Sequence, residues 1–158
     1  MRTARNKKYR PKPKNDTGGL AVLMSRYQQH TPMMPDQITD LSIAYRLSFD
    51  CMTSGRGFES HWCNCVTALN IGLVLCENGF GQEHEQTFAA ALDGAFRARV
   101  RAKEKQVWGF DGDAMNAIKK AFAVHEVQLE CVTQAELIEA MRVVRKRIED
   151  GNVYREAN

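Results

Sequence analysis

At about 59–77 the chain carries Trp62, Val66, Leu69, Leu73 and Cys76 at three- and four-residue steps, while Cys65, Ile71, Val74 and Leu75 fill most of the remaining circumference. These are helical steps. A helix that is apolar almost all round cannot turn any side to water, so it belongs in the middle of a bundle or in a subunit interface. This segment therefore requires several further helices around it. They can come from the same chain, giving a monomeric core, or from a second copy, giving a homodimer through the Trp62 and Leu75 faces.

The rest of the chain offers candidates. After Pro35 the residues Ile38, Leu41, Tyr45 and Met52 keep helical spacing, widened by Ile43, Leu47 and Phe49, which predicts a helix at about 36–53 ended by Gly55 and Gly57. Gly79 and Gly81 bracket a turn. From Gln82 to about Gln106, Phe88, Leu92, Ala95 and Phe96 predict another helix, and Arg97, Arg99, Arg101, Lys103 and Lys105 near its end complement the helix dipole. After a loop at Trp108-Gly109-Phe110, Asp111 or Asp113 can cap a fourth helix that places Met115, Ile118, Phe122, His125 and Leu129 on one face. Thr133-Gln134-Ala135-Glu136 has the form of a capping box, followed by a helix to about Asp150 with Leu137, Met141, Val144 and Ile148 inward and Gly151 as its stop. No stretch alternates in the manner of a strand. The expected fold is all-α: one compact bundle of about five helices in residues 20–158, behind a disordered basic arm at 1–19. Leu20 to Tyr27 is a short apolar piece expected to pack on the body. At 158 residues and 44% hydrophobic, the chain is long enough for one such domain.

The arm carries the clearest functional signal. Arg2, Arg5, Lys7, Lys8, Arg10, Lys12 and Lys14 fall within the first fourteen residues, which contain no acid. The whole chain has 22 Lys and Arg against 19 Asp and Glu, so without these seven the balance becomes 15 against 19, a mildly acidic body. A flexible cationic segment suits a phosphate backbone, because each contact releases condensed counterions without needing a fixed geometry. Tyr9 can stack on an exposed base. Two helical patches, Arg97, Arg101 and Lys105 and then Arg142, Arg145, Lys146 and Arg147, would extend the arm into a track if they share one side. No helix with base-reading residues follows a short turn, so the expected engagement of DNA or RNA is non-specific.

Other chemistries lack their residues. The longest apolar stretch, Cys65 to Cys76, is interrupted by Thr67, Asn70 and Gly72, and falls short of the roughly 20 residues that span a bilayer. The basic N-terminus is not followed by an apolar segment and cleavage site, and Pro11 and Pro13 oppose an amphipathic presequence helix, so the expected location is cytoplasmic. Five cysteines (Cys51, Cys63, Cys65, Cys76, Cys131) read as reduced thiols placed mostly among apolar residues. On a helix His61 and Cys65 share a face while Cys63 points nearly opposite, so these three do not converge on one metal ion. Asp111-Gly112-Asp113 lacks the remaining ligands of a calcium loop. Glu83-His84-Glu85 reads as acids in a first helical turn. His125, between Phe122 and Leu129 on an apolar stripe, is a core imidazole or an acid–base group, and Glu126 does not share its face. No phosphate-binding glycine loop or nucleophile signature occurs. The expectation is a protein that binds rather than catalyses, without cofactor or metal.

Three strings carry a resemblance: Asn6-Lys7-Lys8-Tyr9-Arg10-Pro11-Lys12-Pro13, Ala68-Leu69-Asn70-Ile71, and Val124-His125-Glu126-Val127-Gln128-Leu129-Glu130 ahead of Thr133. Together the chain resembles small proteins of unassigned function encoded in bacteriophages, prophages and plasmids of proteobacteria. The resemblance implies an accessory protein of a mobile element in a bacterial host, and it brings no catalytic residues. Small size, the lack of catalytic motifs and an acidic body also suit an alternative role found among mobile-element proteins, a protein–protein inhibitor of a host defence system (an anti-CRISPR or other anti-defence factor), whose body would occupy a surface meant for nucleic acid and whose arm would dock on an acidic patch or guide RNA.

Overall fold

A computed structural model describes residues 30–151. Among these residues five helices follow one another: α1 Pro35–Thr53, α2 Glu59–Glu77, α3 Glu85–Lys105, α4 Gly112–Cys131 and α5 Gln134–Glu149, with a 3-10 turn at Gln82–His84 leading into α3. Among the described residues there is no strand. Two isolated bridges, Pro32 with Thr133 and Gly57 with Trp108, tie loops together. No helix is long and apolar enough to cross a membrane among the described residues. The arm and the Leu20 to Tyr27 piece lie outside them.

The helix ends follow from local chemistry. Pro35 opens α1 in the first turn, where its missing N–H has no intrahelical partner to lose. The Asp111 carboxylate accepts from Ala114 N–H at 2.8 Å, which makes Asp111 rather than Asp113 the cap of α4. Thr133 Oγ1 accepts from Glu136 N–H, and the Glu136 carboxylate accepts from Thr133 N–H at 2.8 Å, completing the capping box of α5.

The nearly all-apolar α2 stands at the centre and packs against α1, α3, α4 and α5 of the same chain. One core cluster joins α1 to α4 around Tyr45, Phe49, Met52, Leu69, Phe88, Ile118 and Phe122. A second joins the other end of α2 (Ile71, Val74, Leu75) to Leu129, Val132, Leu137, Ala140 and Val144. Leu75 is thus buried within one chain, while Trp62 is half-buried.

Two stripes differ from expectation. On α1, Leu41, Ile43 and Leu47 are exposed, at 39%, 49% and 60%, because α2 and α4 cover only the opposite side, where Tyr45, Ser48, Phe49 and Met52 are buried. On α5, Met141 and Ile148 are exposed and Ala140 faces inward. This helix rests chiefly on α2, so a narrow seam of Leu137, Ala140 and Val144 suffices to bury it.

Candidate functional site

Of the cations in the two helical patches, Arg97, Arg101, Arg142 and Arg147 are engaged by carboxylates within the fold. Arg97 and Arg101 converge on Asp111, each 3.6 Å from Oδ2, and Arg101 also donates to Gly109 O at 2.6 Å. These two arginines thus brace the loop between α3 and α4. The Ala114 N–H bond, followed by the two guanidiniums, holds the Asp111 carboxyl below the usual carboxylate range. Arg142 grips Glu139 with two bonds of 2.6 and 2.8 Å, one turn earlier on α5. Arg46 of α1 donates to Glu126 of α4 at 2.5 Å. Lys105, Arg145 and Lys146 are exposed and have no carboxylate partner among the described residues. The arm set Arg2, Arg5, Lys7, Lys8, Tyr9, Arg10, Lys12 and Lys14 lies outside the described residues. Arg97 and Arg101 face Asp111 ahead of α4, Arg142 faces Glu139 and Arg147 faces Glu77, so four of the residues expected to form a track are tied to carboxylates of their own fold.

The cations that do converge are Arg99 and Arg147. They line a groove of about 260 Å³ whose floor is α2 (Trp62, Val66, Asn70) and whose walls are α3 (Leu92, Phe96, Arg99) and α5 (Val144, Arg147, Ile148). Arg147 forms a forked pair with Glu77, at 2.5 and 3.2 Å. The guanidinium of Arg99 lies over the Trp62 ring, 5.2 Å from its centroid, and Trp62 is itself fixed by an indole N–H bond to Ala95 O at 2.8 Å. Among the described residues, Arg99 Nε is the one buried side-chain polar atom without a hydrogen-bond partner. Leaving a donor in that state costs about 1–3 kcal/mol. Both arginines continue apolar stripes, Leu92-Phe96 and Val144-Ile148, and that continuation is the signal in the sequence that sets them apart from the other cations of their patches.

The remaining candidates have structural duties. His61 Nδ1 accepts from Phe58 N–H at 3.2 Å at the start of α2. Cys65 is buried, and burial pushes its thiol up to about 12, so it stays protonated. Cys76 is buried as well, whereas Cys63 and Cys131 are exposed, unlike the expected pattern of thiols sheltered among apolar residues. His84 Nε2 lies 3.6 Å from Glu83 on an exposed turn. Among the described residues no three His, Cys, Asp or Glu side chains gather as a metal site would require.

His125 is buried and paired with Gln128, its Nδ1 3.1 Å from Oε1. Gln128 Nε2 faces the carbonyls of Gly72 (3.0 Å) and Phe80 (2.8 Å), with the Cys76 sulfur at 3.2 Å. That end of the amide must therefore be the NH2 group, which leaves Oε1 as acceptor and places the imidazole proton on Nδ1. Burial holds the imidazole below the ordinary histidine range, opposed by the Gln128 bond and by Glu126. The pair clamps α2, α4 and the turn after α2.

Beyond the groove, α1 presents Asp36, Asp40, Ile43, Leu47 and Asp50 in steps of four and three residues along one exposed side, opposite its buried face.

Comparisons of the chain with protein-family models, curated proteins and solved structures return no match.

Proposed function

We propose that this chain is a non-enzymatic accessory protein of a mobile element, acting by binding, and that residues 1–14 engage the phosphate backbone of DNA or RNA without sequence preference. The observation that carries this reading is the segregation of charge: seven cations and no acid in the first fourteen residues, ahead of an acidic body. The ion pairs of the body support it. Arg46, Arg97, Arg101, Arg142 and Arg147 each face a carboxylate of their own fold, whereas the first fourteen residues supply seven cations and no acid of their own. Exchanging Lys7, Lys8 and Arg10 for alanine should weaken binding to double-stranded DNA and reduce the steepness of its salt dependence by roughly two to three, since each phosphate contact contributes about 0.9 to the slope. The melting temperature should not move. An unchanged salt slope would contradict the assignment.

A second reading, inhibition of a host defence protein, draws on the exposed α1 stripe. Asp36, Asp40 and Asp50 around Ile43 and Leu47 match a basic surface with an apolar centre, such as one that normally takes nucleic acid. Under this reading, capture from nuclease-treated bacterial lysate recovers a stoichiometric partner that Leu47→Asp releases. Capture of nothing counts against it.

A further inference from the structure

The groove between α3 and α5 holds a cation for which the described fold provides no carboxylate. We propose that this groove is a binding site for a small organic carboxylate with an apolar body, its carboxylate on Arg99 and its hydrocarbon against Val66, Leu92, Phe96 and Val144. This site is independent of the arm.

Four observations converge on that ligand class. The lining is mainly apolar side chains of three helices, so a bare inorganic anion would leave most of the surface uncovered. The volume, about 260 Å³, lies just under the range of about 300–1,000 Å³ usual for small-ligand pockets, which limits the occupant to a short chain or one or two rings. The charge to be matched is close to one: Arg147 already faces Glu77, while Arg99 lies over the π-face of Trp62 and has no carboxylate partner among the described residues. A monoanion balances that, and a phosphate dianion exceeds it. Finally, the Arg99 Nε–H is desolvated and unpaired, so a neutral apolar guest would leave it so, whereas a carboxylate oxygen supplies the missing acceptor after a small rotation of the guanidinium. The planar fork of arginine suits the two oxygens of a carboxylate. Because the guanidinium rests on Trp62, that rotation alters the surroundings of the indole and makes its fluorescence a reporter. Trp108 is the second tryptophan of the chain, 5.9 Å away between ring centroids, and Trp108→Phe isolates the signal.

The test is a calorimetric and fluorescence titration of the full chain with decanoate and 2-naphthoate, set against decanol and 2-naphthol as uncharged probes. The proposal expects at least one carboxylate to bind saturably, at least tenfold tighter than its alcohol, with a change in Trp62 emission. Arg99→Gln should reduce the carboxylate to the affinity of the alcohol. Thr67→Glu, an exposed position on the groove lining, should block the site with a built-in carboxylate and keeps the test valid if Arg99→Gln fails to fold. Saturable binding of neither carboxylate, equal affinity for acid and alcohol, or affinity untouched by Thr67→Glu would each overturn the proposal.

Discussion

Gly94→Ala should lower the melting temperature of this chain by roughly 3–10 °C, the shift that about 1–3 kcal/mol of overpacking produces in a domain of this size. Alanine is the better helix former by about 1 kcal/mol, so propensity alone predicts the opposite sign. Packing decides the outcome. A Cβ on Gly94 would stand 2.6 Å from the Ala114 Cβ and 2.8 Å from its Cα, and a backbone atom cannot rotate out of the way. The α3 surface here is a run of small buried residues, Ala91, Gly94, Ala95, Ala98 and Ala102, against Ala114, Ile118 and Ala121 of α4. Two helices so close must separate to admit one methyl group, and the core between them then loses contact along its length. Ala114→Gly should recover part of the loss in the Gly94→Ala background, a coupling visible in a double-mutant cycle. Gly112→Ala is the control: nothing lies within 4 Å of its Cβ, and its melting temperature should stay level or rise.

Gln128→Leu should be at least as damaging, about 3 kcal/mol by thermal or denaturant unfolding. The side chain is buried at 4% exposure, and its removal strands the Phe80 carbonyl and the His125 Nδ1–H together. Each buried group left unpaired costs about 1–3 kcal/mol, while leucine returns only its own apolar burial. The same site sets a pH dependence. His125 is held below its ordinary value when folded, so below about pH 6.5 the unfolded chain takes up a proton that the native chain refuses. Its contribution is therefore complete above that pH and is lost as the pH falls from there toward the folded value. Melting temperatures measured from pH 7.5 down to 5.5 should decline, and His125→Gln should flatten that decline. The carboxylates held low by their partners, Asp111 and Glu126, act in a lower window, losing their contribution as pH falls below about 4.

The order and bounds of the helices were legible because punctuation marks them. Pro35, Asp111, Thr133 with Glu136, and Gly151 each do a job at a helix end that few other residues do. The central place of α2 was legible for a related reason: an apolar circumference leaves one kind of environment. Faces were harder. Leu41, Ile43 and Leu47 have the spacing of a core stripe, yet burial depends on which neighbours arrive, and α1 has them on one side only. On α5 the sequence favours Met141 over Ala140 by size, whereas close approach to α2 favours Ala140. His125 was recognisable as a polar residue on an apolar face. Its partner Gln128, three residues on and on the same side, was the available clue to what satisfies it. Local density groups Arg97, Arg101 and Lys105, and again Arg142, Arg145, Lys146 and Arg147. Density does not register that Asp111 and Glu139 engage three of them, or that Arg99 and Arg147 meet across a groove made by helices distant in sequence.

Charge composition separates body from arm. Seven cations with no acid among the first fourteen residues stand ahead of a body with 15 Lys and Arg against 19 Asp and Glu, and each cation that meets a phosphate releases condensed counterions. The central claim is tested most directly by fluorescence-anisotropy titration of single- and double-stranded DNA and RNA, at two salt concentrations, with the full chain and with a chain beginning at Leu20. The account predicts salt-sensitive binding by the full chain and none by the shortened one, at equal melting temperature. Absence of binding by the full chain at low salt, or equal affinity of both, would contradict it.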